Sequence, residues 1–205
     1  MSLGAPAPHT EEPPVRSLVY LVATSLDGFI AGPDGDTSVL EEDLESAAAA
    51  LAAYPDTCPA HLREAFGISG PPVRFDTVVM GAATHRPALA AGLTSAYPHL
   101  TQYVATHADL PEDPTQHRWE GDLAARVREL KAAPGGDIWL CGGGDLAGQL
   151  VEEIDEVHLK VHPVLLGEGV PVVRGAGLRR FTHVSSSTLA GGVVLSVYAA
   201  RASGA

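Results

Sequence analysis

The sequence contains few cysteines, few basic residues and no long apolar segment. Only two cysteines occur among 205 residues, Cys58 and Cys141, which excludes a disulfide framework and a paired-cysteine metal site. The 13 Lys and Arg against 25 Asp and Glu give a net charge of −12, which argues against a broad electrostatic nucleic-acid surface. No apolar run approaches the ~20 residues of a membrane helix, and the N-terminus lacks the basic and apolar regions of a secretory signal. We therefore expect a cytoplasmic protein without nucleic-acid or membrane partners.

The length and composition fit one globular domain. Apolar residues make up 45% of the chain and charged residues 19%, a balance that favours a packed core over disorder. Residues 1–15 are rich in Pro, Ala and Glu without periodicity. We predict a disordered tail there and a single domain over residues 16–201.

Apolar segments of strand length alternate with segments of helical pattern. Short continuous apolar runs predict buried strands, and leucines at helical spacing predict helices. Strands are predicted over 18–23, 76–81, 102–106, 137–141 and 156–166, and a hairpin over 181–200. Helices are predicted over 39–54 and 84–91, from the capping residue Asp122 to Pro134, and after Gly144, where Leu146, Leu150 and Ile154 share a face. This order predicts an α/β fold with a mostly parallel central sheet and an antiparallel C-terminal hairpin.

A strand that runs into Gly142-Gly143-Gly144 and then a helix is the strongest local signal. Glycines let a backbone approach a ligand closely, and the free N–H groups of a following helix favour an anion such as phosphate. The alternative is a tight turn without a ligand, although we see no structural need for three glycines. The spacing differs from the G-x-G-x-x-G fingerprint, so a Rossmann dinucleotide site is not supported.

Two further strand ends carry polar residues. Asp27-Gly28 follows the first strand, and we expect Asp27 to order this loop rather than to act as an acid. Thr84 follows Met80-Gly81 at a helix start, where it either caps the helix or binds phosphate.

Alternate residues of the 156–166 strand are polar. His158 and His162 share a face with Lys160 between them, so a metal pair is conceivable. The intervening cation and the lack of a nearby third ligand favour a solvated or interface face instead.

Three blocks in this order resemble the dihydrofolate-reductase-like superfamily, and most closely its RibD C-terminal domain branch, the reductase domain of riboflavin biosynthesis. The blocks are ATSLDGFIAGPD from Ala23, DTVVMGAAT from Asp76, and the long segment from Leu130 to Gly169. The resemblance covers residues 18–200 and implies a three-layer dihydrofolate-reductase-like fold.

The resemblance implies an NADPH site. Residues in the positions of Ala23 and Ile30 hold the nicotinamide, the two helix starts receive the pyrophosphate, and Thr106 lies near the adenosine. It also implies a cis peptide bond between Gly142 and Gly143. The cofactor-binding residues expected on this basis are Ala23, Ile30, Gly81, Thr84, Arg86, Thr106, Gly142, Gly143, Gly144, Asp145 and Leu146.

The sequence departs from the family in the second block. Relatives carry an arginine after Met80-Gly81 that grips the 2′-phosphate of NADPH, and Ala82 stands there instead. Arg86, one helical turn further on, is the expected replacement, with Thr106 and His107 as alternatives.

On the substrate side, the resemblance implies reduction of a small pterin- or pyrimidine-like heterocycle. Asp43 falls at the position of the acidic residue on the first helix and is the candidate proton donor, with water as the alternative. The family's aromatic residue ahead of that helix is replaced by Ser38 and Val39. A nucleotide-binding or regulatory module without turnover therefore stays open as a second interpretation.

Two expectations concern the rest of the molecule. The proline-rich stretch from Tyr54 to Val73 is interpreted as an inserted lid on the substrate side. Because relatives often dimerise, we also predict a two-fold homodimer, with the 156–166 strand as the candidate surface.

Overall fold

A computed structural model describes residues 15–40 and 43–201, and helices cover both faces of its main sheet. The strands are β1 (Leu18–Thr24), β2 (Phe29–Ala31), β3 (Phe75–Gly81), β4 (Thr101–Ala105), β5 (Gln116–Trp119), β6 (Asp137–Gly142), β7 (Glu156–Val161), β8 (Val170–Pro171), β9 (Phe181–Thr188) and β10 (Val194–Ala200). The α-helices are α1 (Leu44–Ala53), α2 (Ala60–Arg63), α3 (Ala82–Ala90), α4 (Leu123–Ala132) and α5 (Gly144–Gln149). The tail predicted over residues 1–15 lies almost entirely outside the described residues.

The main sheet has eight strands in the order β5-β4-β3-β6-β1-β7-β10-β9. The six strands from β5 to β7 run parallel, whereas β10 pairs antiparallel with β7 and β9 antiparallel with β10. The predicted α/β class, with a mostly parallel sheet and an antiparallel C-terminal hairpin, is confirmed. A separate antiparallel pair joins β2 to β8.

The apolar run of β1 is explained by burial on both faces of the sheet. Leu18 and Tyr20 pack in a cluster with residues of α4 and α5, whereas Val19 and Leu21 pack on the opposite face in a cluster that includes Tyr54. Alternate side chains of a strand point to opposite faces, so a strand in the middle layer needs apolar residues at every position.

Capping carboxylates set the starts of two helices. Asp43 accepts a hydrogen bond from the Ser46 amide at 2.8 Å, so α1 begins after it rather than at residue 39, and a 3-10 helix covers Ser38–Leu40. Asp122 accepts a hydrogen bond from the Ala125 amide at 2.9 Å and caps α4 as predicted.

Two strands differ from the prediction. β5 was not predicted, because its polar edge sequence, with only its first and last residues buried, lacks an apolar run. β7 ends at Val161 instead of continuing to residue 166, since Pro163 has no N–H to extend the ladder. The C-terminal hairpin is confirmed, and Gly191 and Gly192 supply the positive φ values of its turn, 69° and 77°.

β7 lies inside the sheet, between β1 and β10. Both of its edges are therefore paired within the chain and cannot pair with a second copy. The homodimer itself stays a prediction.

Within residues 15–40 and 43–201, no helix combines the length and the apolar character that a membrane crossing requires.

The stretch from Tyr54 to Val73 is held closed at its base by one carboxylate. Asp56 is 2% exposed and accepts hydrogen bonds from the amides of Val73, Arg74 and Phe75 at 2.7–2.9 Å. The His99 imidazole contacts the Asp56 carbonyl at 2.8 Å. These bonds join the two ends of the stretch, so the residues between them form a closed loop attached to the start of β3.

We expect Asp56→Asn to lower the free energy of unfolding by about 3 kcal/mol, since an amide nitrogen would face at least one buried N–H and the charged acceptor is lost. Urea denaturation measures the change. Asp34→Asn is the matched control, because Asp34 is exposed and accepts one bond, from the Asp36 amide. If the free energy of unfolding falls by less than about 1 kcal/mol in Asp56→Asn, the hydrogen bonds to the Asp56 carboxylate are not needed for stability.

Candidate functional site

Two cavities lie at the carboxyl edge of the parallel strands, where β1 and β6 end. The glycine-turn cavity has a volume of about 400 Å³ and is lined by residues that include Ala23, Ile30, Thr84, Gly142, Gly143 and Val170. The helix-side cavity has a volume of about 480 Å³ and is lined by residues that include Leu44, Leu51, Tyr54, Leu62, Trp139 and Lys160. A larger open groove, about 770 Å³, lies at residues 109–118 and contains none of the predicted site residues.

The two cavities adjoin each other. Val22, Ala23 and Cys141 line both of them. These residues come from the ends of β1 and β6, which neighbour each other in the sheet. Two ligands bound in these cavities would therefore meet at the end of β1.

The three residues of the Gly142–Gly144 turn differ in how strongly the structure requires glycine. Gly142 has a φ of 133°, which side chains rarely allow. A Cβ on Gly144 would overlap the carbonyl oxygen of Pro171, so packing excludes any side chain there. Two of the three glycines thus have structural roles, so the structure requires glycine at Gly142 and Gly144 but not at all three positions.

Gly143 is different, because the protein leaves room for a side chain. A Cβ on Gly143 would lie no closer than 4.0 Å to its nearest neighbour, the Thr84 hydroxyl oxygen, in the space of the glycine-turn cavity. The peptide bond between Gly142 and Gly143 is cis, as the resemblance implied. The bare backbone at Gly143 therefore suits a ligand that approaches the turn closely.

Thr84 lies inside α3 rather than at its cap. The N-cap of α3 is Gly81, and no side chain caps this helix end. The capping interpretation of Thr84 was therefore wrong. Its hydroxyl lies beside the glycine turn and is available as a hydrogen-bond donor to a bound anion.

Asp27 orders the loop that carries Ile30 to the cavity. Its carboxylate accepts hydrogen bonds from the Ser25 hydroxyl at 2.6 Å and from the amides of Leu166 and Gly167. These bonds, chiefly those from Ser25 and Gly167, lower the pKa of Asp27 to about 2. The expectation that Asp27 orders the loop is borne out by these contacts.

The thiol between the two cavities stays protonated at neutral pH. Burial raises the pKa of Cys141 to about 12, although a hydrogen bond from Tyr97 and the charge of Lys160 oppose the shift. Burial also raises the pKa of Cys58. Because the thiolate is the reactive form of cysteine, neither group suits nucleophilic catalysis.

His158 and His162 were predicted on a solvated or interface face. Both are buried within the chain, 1% and 4% exposed, so that face is not solvated. His158 contacts the Tyr54 hydroxyl through Nδ1 and the Glu156 carboxylate through Nε2, both at 2.7 Å. Burial lowers the pKa of His158, which favours the neutral ring. Over the described residues, no group of three or more potential ligands could hold a metal ion.

The remaining predicted site residues lie in several environments. Gly144 and Leu146 are buried, and Leu146 belongs to the core cluster on the face of α4 and α5. Asp145 is exposed and lies 3.5 Å from Arg174. Arg86 is exposed on α3, and Thr106 accepts a hydrogen bond from the Ala108 amide just beyond β4. None of these residues is among those that line the two cavities.

Asp43 is exposed at the N-cap of α1, immediately before Leu44, which lines the helix-side cavity. The predicted lid does contribute to this cavity, through residues that include Thr57, Pro59, Leu62 and Phe66. Sequence reasoning missed Lys160, Trp139 and Tyr97 as cavity residues. Only the strand register, which pairs Lys160 with Ala23, reveals the position of Lys160.

The sequence pattern of the RibD C-terminal domain family matches residues 76–195. The chain therefore belongs to the RibD C-terminal domain family. Among curated proteins, it is 29% identical to the uncharacterized protein YwjB of Bacillus subtilis over 161 residues, which cover 77% of this chain and 82% of YwjB.

Solved structures show the same fold. A putative riboflavin biosynthesis protein from Shewanella superimposes with a TM-score of 0.63 at 24% identity, covering 91% of this chain and 99% of the other. Dihydrofolate reductase from Enterococcus faecalis, in complex with NADP(H) and RAB-propyl, superimposes with a TM-score of 0.58 at 14% identity, covering 91% and 97%. The fold is therefore the dihydrofolate-reductase-like fold that the resemblance implied.

The Asp27 contacts predict a pH dependence of stability. Because folding lowers the pKa of Asp27, its contribution is complete above its ordinary value near pH ~4 and is lost as the pH falls to about 2. We expect the thermal midpoint of Asp27→Asn to fall less than that of the unmodified protein between pH 5 and pH 2. Glu129→Gln, on the exposed side of α4, controls for the loss of one acidic group. Parallel pH profiles for the protein and Asp27→Asn would contradict the assignment.

Proposed function

We propose that the protein is an NADPH-dependent reductase that transfers a hydride to a small pterin- or pyrimidine-like heterocycle. The observation that supports this most is the pair of adjoining cavities that share Val22, Ala23 and Cys141. Direct hydride transfer needs two ligands held with their reacting atoms in contact, and the protein's part is to orient them and to exclude water. Membership of the RibD C-terminal domain family agrees with this chemistry.

The residues at the glycine-turn cavity fit NADPH. The bare backbone at Gly143 and the Thr84 hydroxyl suit a pyrophosphate, and Ala23 and Ile30, the residues proposed to hold the nicotinamide, line the same cavity. When bound, NADPH supplies the hydride from C4 of its nicotinamide ring. The NADP(H) complex of the Enterococcus reductase supports the same choice of cofactor.

The helix-side cavity is the proposed substrate site. Its walls are α1, the loop that Asp56 closes, and the ends of β1 and β6. Reduction of a ring C=N or C=C bond takes up one proton besides the hydride. Asp43 directly precedes a residue of this cavity, so it remains the candidate donor, with water as the alternative.

The second interpretation, a nucleotide-binding module without turnover, requires only the glycine-turn cavity. A second cavity of about 480 Å³ beside it favours the enzyme. We retain the two-fold homodimer as part of the proposal.

The decisive experiment for the cofactor site compares three glycine variants. We expect Gly143→Ala to weaken NADPH binding at least about tenfold, because the methyl group occupies the cavity beside Thr84. Gly144→Ala should instead lower the thermal midpoint, since its methyl group overlaps Pro171. Gly177→Ala is the matched control, because a Cβ there meets nothing within 4 Å. Fluorescence titration of NADPH and thermal unfolding provide the two measurements.

Unchanged NADPH affinity in Gly143→Ala would contradict the cofactor site. If NADPH binds the unmodified protein but no pterin or pyrimidine is reduced or bound, the non-catalytic module is the better description.

A second prediction concerns cofactor preference. With Ala82 in place of the family's arginine, we expect NADPH to be preferred over NADH by a reduced margin, sustained by Arg86. A charge-assisted contact is worth roughly tenfold to a hundredfold in affinity. Arg86→Ala should therefore bring the two affinities together, whereas Arg126→Ala, an exposed arginine of α4, should not.

Equal affinities in the unmodified protein would show that no preference exists. If the ratio of NADPH affinity to NADH affinity is unchanged in Arg86→Ala, the contact with the 2′-phosphate is assigned to Thr106 or His107 instead.

A further inference from the structure

We propose that the substrate is a flat heterocycle without a phosphate group, held through one ring acceptor atom by Lys160. This inference rests on the proposed function, since it assumes that the helix-side cavity takes the substrate. The inference narrows the substrate class through the substituent on the ring, not through the ring itself.

The lining of the helix-side cavity is almost entirely apolar. Its walls carry aliphatic side chains from α1 and β1 and aromatic side chains at Tyr54, Phe66, Tyr97 and Trp139. Among the described residues that line it, Lys160 is the one with a charged side chain. A planar ring stacks well on such walls, and burying a dianion among them would be costly.

Lys160 lies where the two cavities meet. In the sheet register it stands between Ala23 of β1 and Leu195 of β10. Ala23 lines both cavities, and the charge of Lys160 acts on the Cys141 thiol, which also lines both. An ammonium group here can donate to a ring nitrogen or carbonyl oxygen, and this bond strengthens as negative charge develops on hydride arrival.

At the mouth of the cavity, the described lining residues offer no cation to a substituent that projects outward. Leu44 and Leu62 line the cavity and are 80% and 37% exposed, so a side group leaving the ring meets leucine side chains. A phosphate on that side group would lose hydration without gaining a charged partner.

The nearby guanidinium groups are engaged elsewhere. Arg63 donates to the carbonyls of Pro55 and Gly70, and Arg74 pairs with Asp137 and Glu156. Phosphate sites in proteins depend strongly on such groups, in bidentate contact with the oxygens. Here those groups hold the loop and the strand ends together.

A smaller cavity of about 280 Å³ shares Pro59 and Tyr97 with the helix-side cavity. Among its described lining residues the basic side chains are His61 and His85, with neither lysine nor arginine. Burial lowers the pKa of His85, which keeps its ring neutral near pH 7. An extension of the substrate into this space would therefore meet no lysine or arginine among the described lining residues.

The test uses three pterins with one ring and different side groups: 6-methylpterin, 6-hydroxymethylpterin and 6-hydroxymethylpterin phosphate. Binding is followed by quenching of tryptophan fluorescence, because Trp139 lines the cavity. The Trp139→Phe variant establishes the origin of the signal. We expect the first two compounds to bind with similar affinity and the phosphate to bind at least about tenfold more weakly.

The role of Lys160 is tested with the only two lysines of the sequence, Lys131 and Lys160. Lys160→Met should weaken 6-hydroxymethylpterin binding roughly tenfold to a hundredfold and leave NADPH affinity unchanged. Lys131→Met is the matched control, since Lys131 of α4 pairs with Asp155 and does not line the cavity.

Tighter binding of the phosphate, or failure of all three pterins to bind, would overturn the inference. Equal effects of the two lysine variants would also overturn it. These measurements need no turnover, so a failure here is distinct from a failure of the NADPH titration, which bears on the proposed function alone.

Discussion

The parallel pairing of β1 between β6 and β7 fixes the position of the candidate site. All three strands end at one edge of the sheet, which brings together Ala23, Cys141 and Lys160 from distant parts of the sequence. A slip of one residue in this register would move Lys160 to the other face and into the core. The burial of β1 on both faces therefore positions the residues of the candidate site as well as stabilising the domain.

A second constraint is the close packing of the segment 170–174 against α5. Side chains at Gly144 and Gly148 would overlap the backbone of Pro171 and Arg174, and the Arg174 amide donates to the Gly144 carbonyl at 3.0 Å. The Tyr20 hydroxyl donates to the Val172 carbonyl at 2.5 Å. Segment 170–174 thus packs against the helix that follows the glycine turn and is itself hydrogen-bonded to Tyr20 of β1.

The features that the sequence predicted are those with local causes. The apolar run of β1 and the capping carboxylates show themselves within a few neighbouring residues, and the family resemblance added the cis bond of the glycine turn. The packing of Pro171 against Gly144 is a long-range contact that the local sequence does not show. Lys160 and His158 were misjudged because alternation along a strand does not show what covers each face. In the fold, Tyr54 covers the face of the sheet that carries His158, and its hydroxyl contacts the His158 ring. β5 was missed because an edge strand needs no apolar run.

Because the Asp56 carboxylate closes the loop at its base, the sequence of the loop can change independently of the sequence of the sheet. The segment between residues 57 and 72 leaves and rejoins the rest of the domain at nearly the same point, and it contributes walls of the helix-side cavity beside residues of the sheet. Insertions or replacements within this loop would alter the shape of the helix-side cavity without disturbing the strand register or the glycine turn. The architecture thus lets the helix-side cavity change while the glycine-turn cavity stays constant.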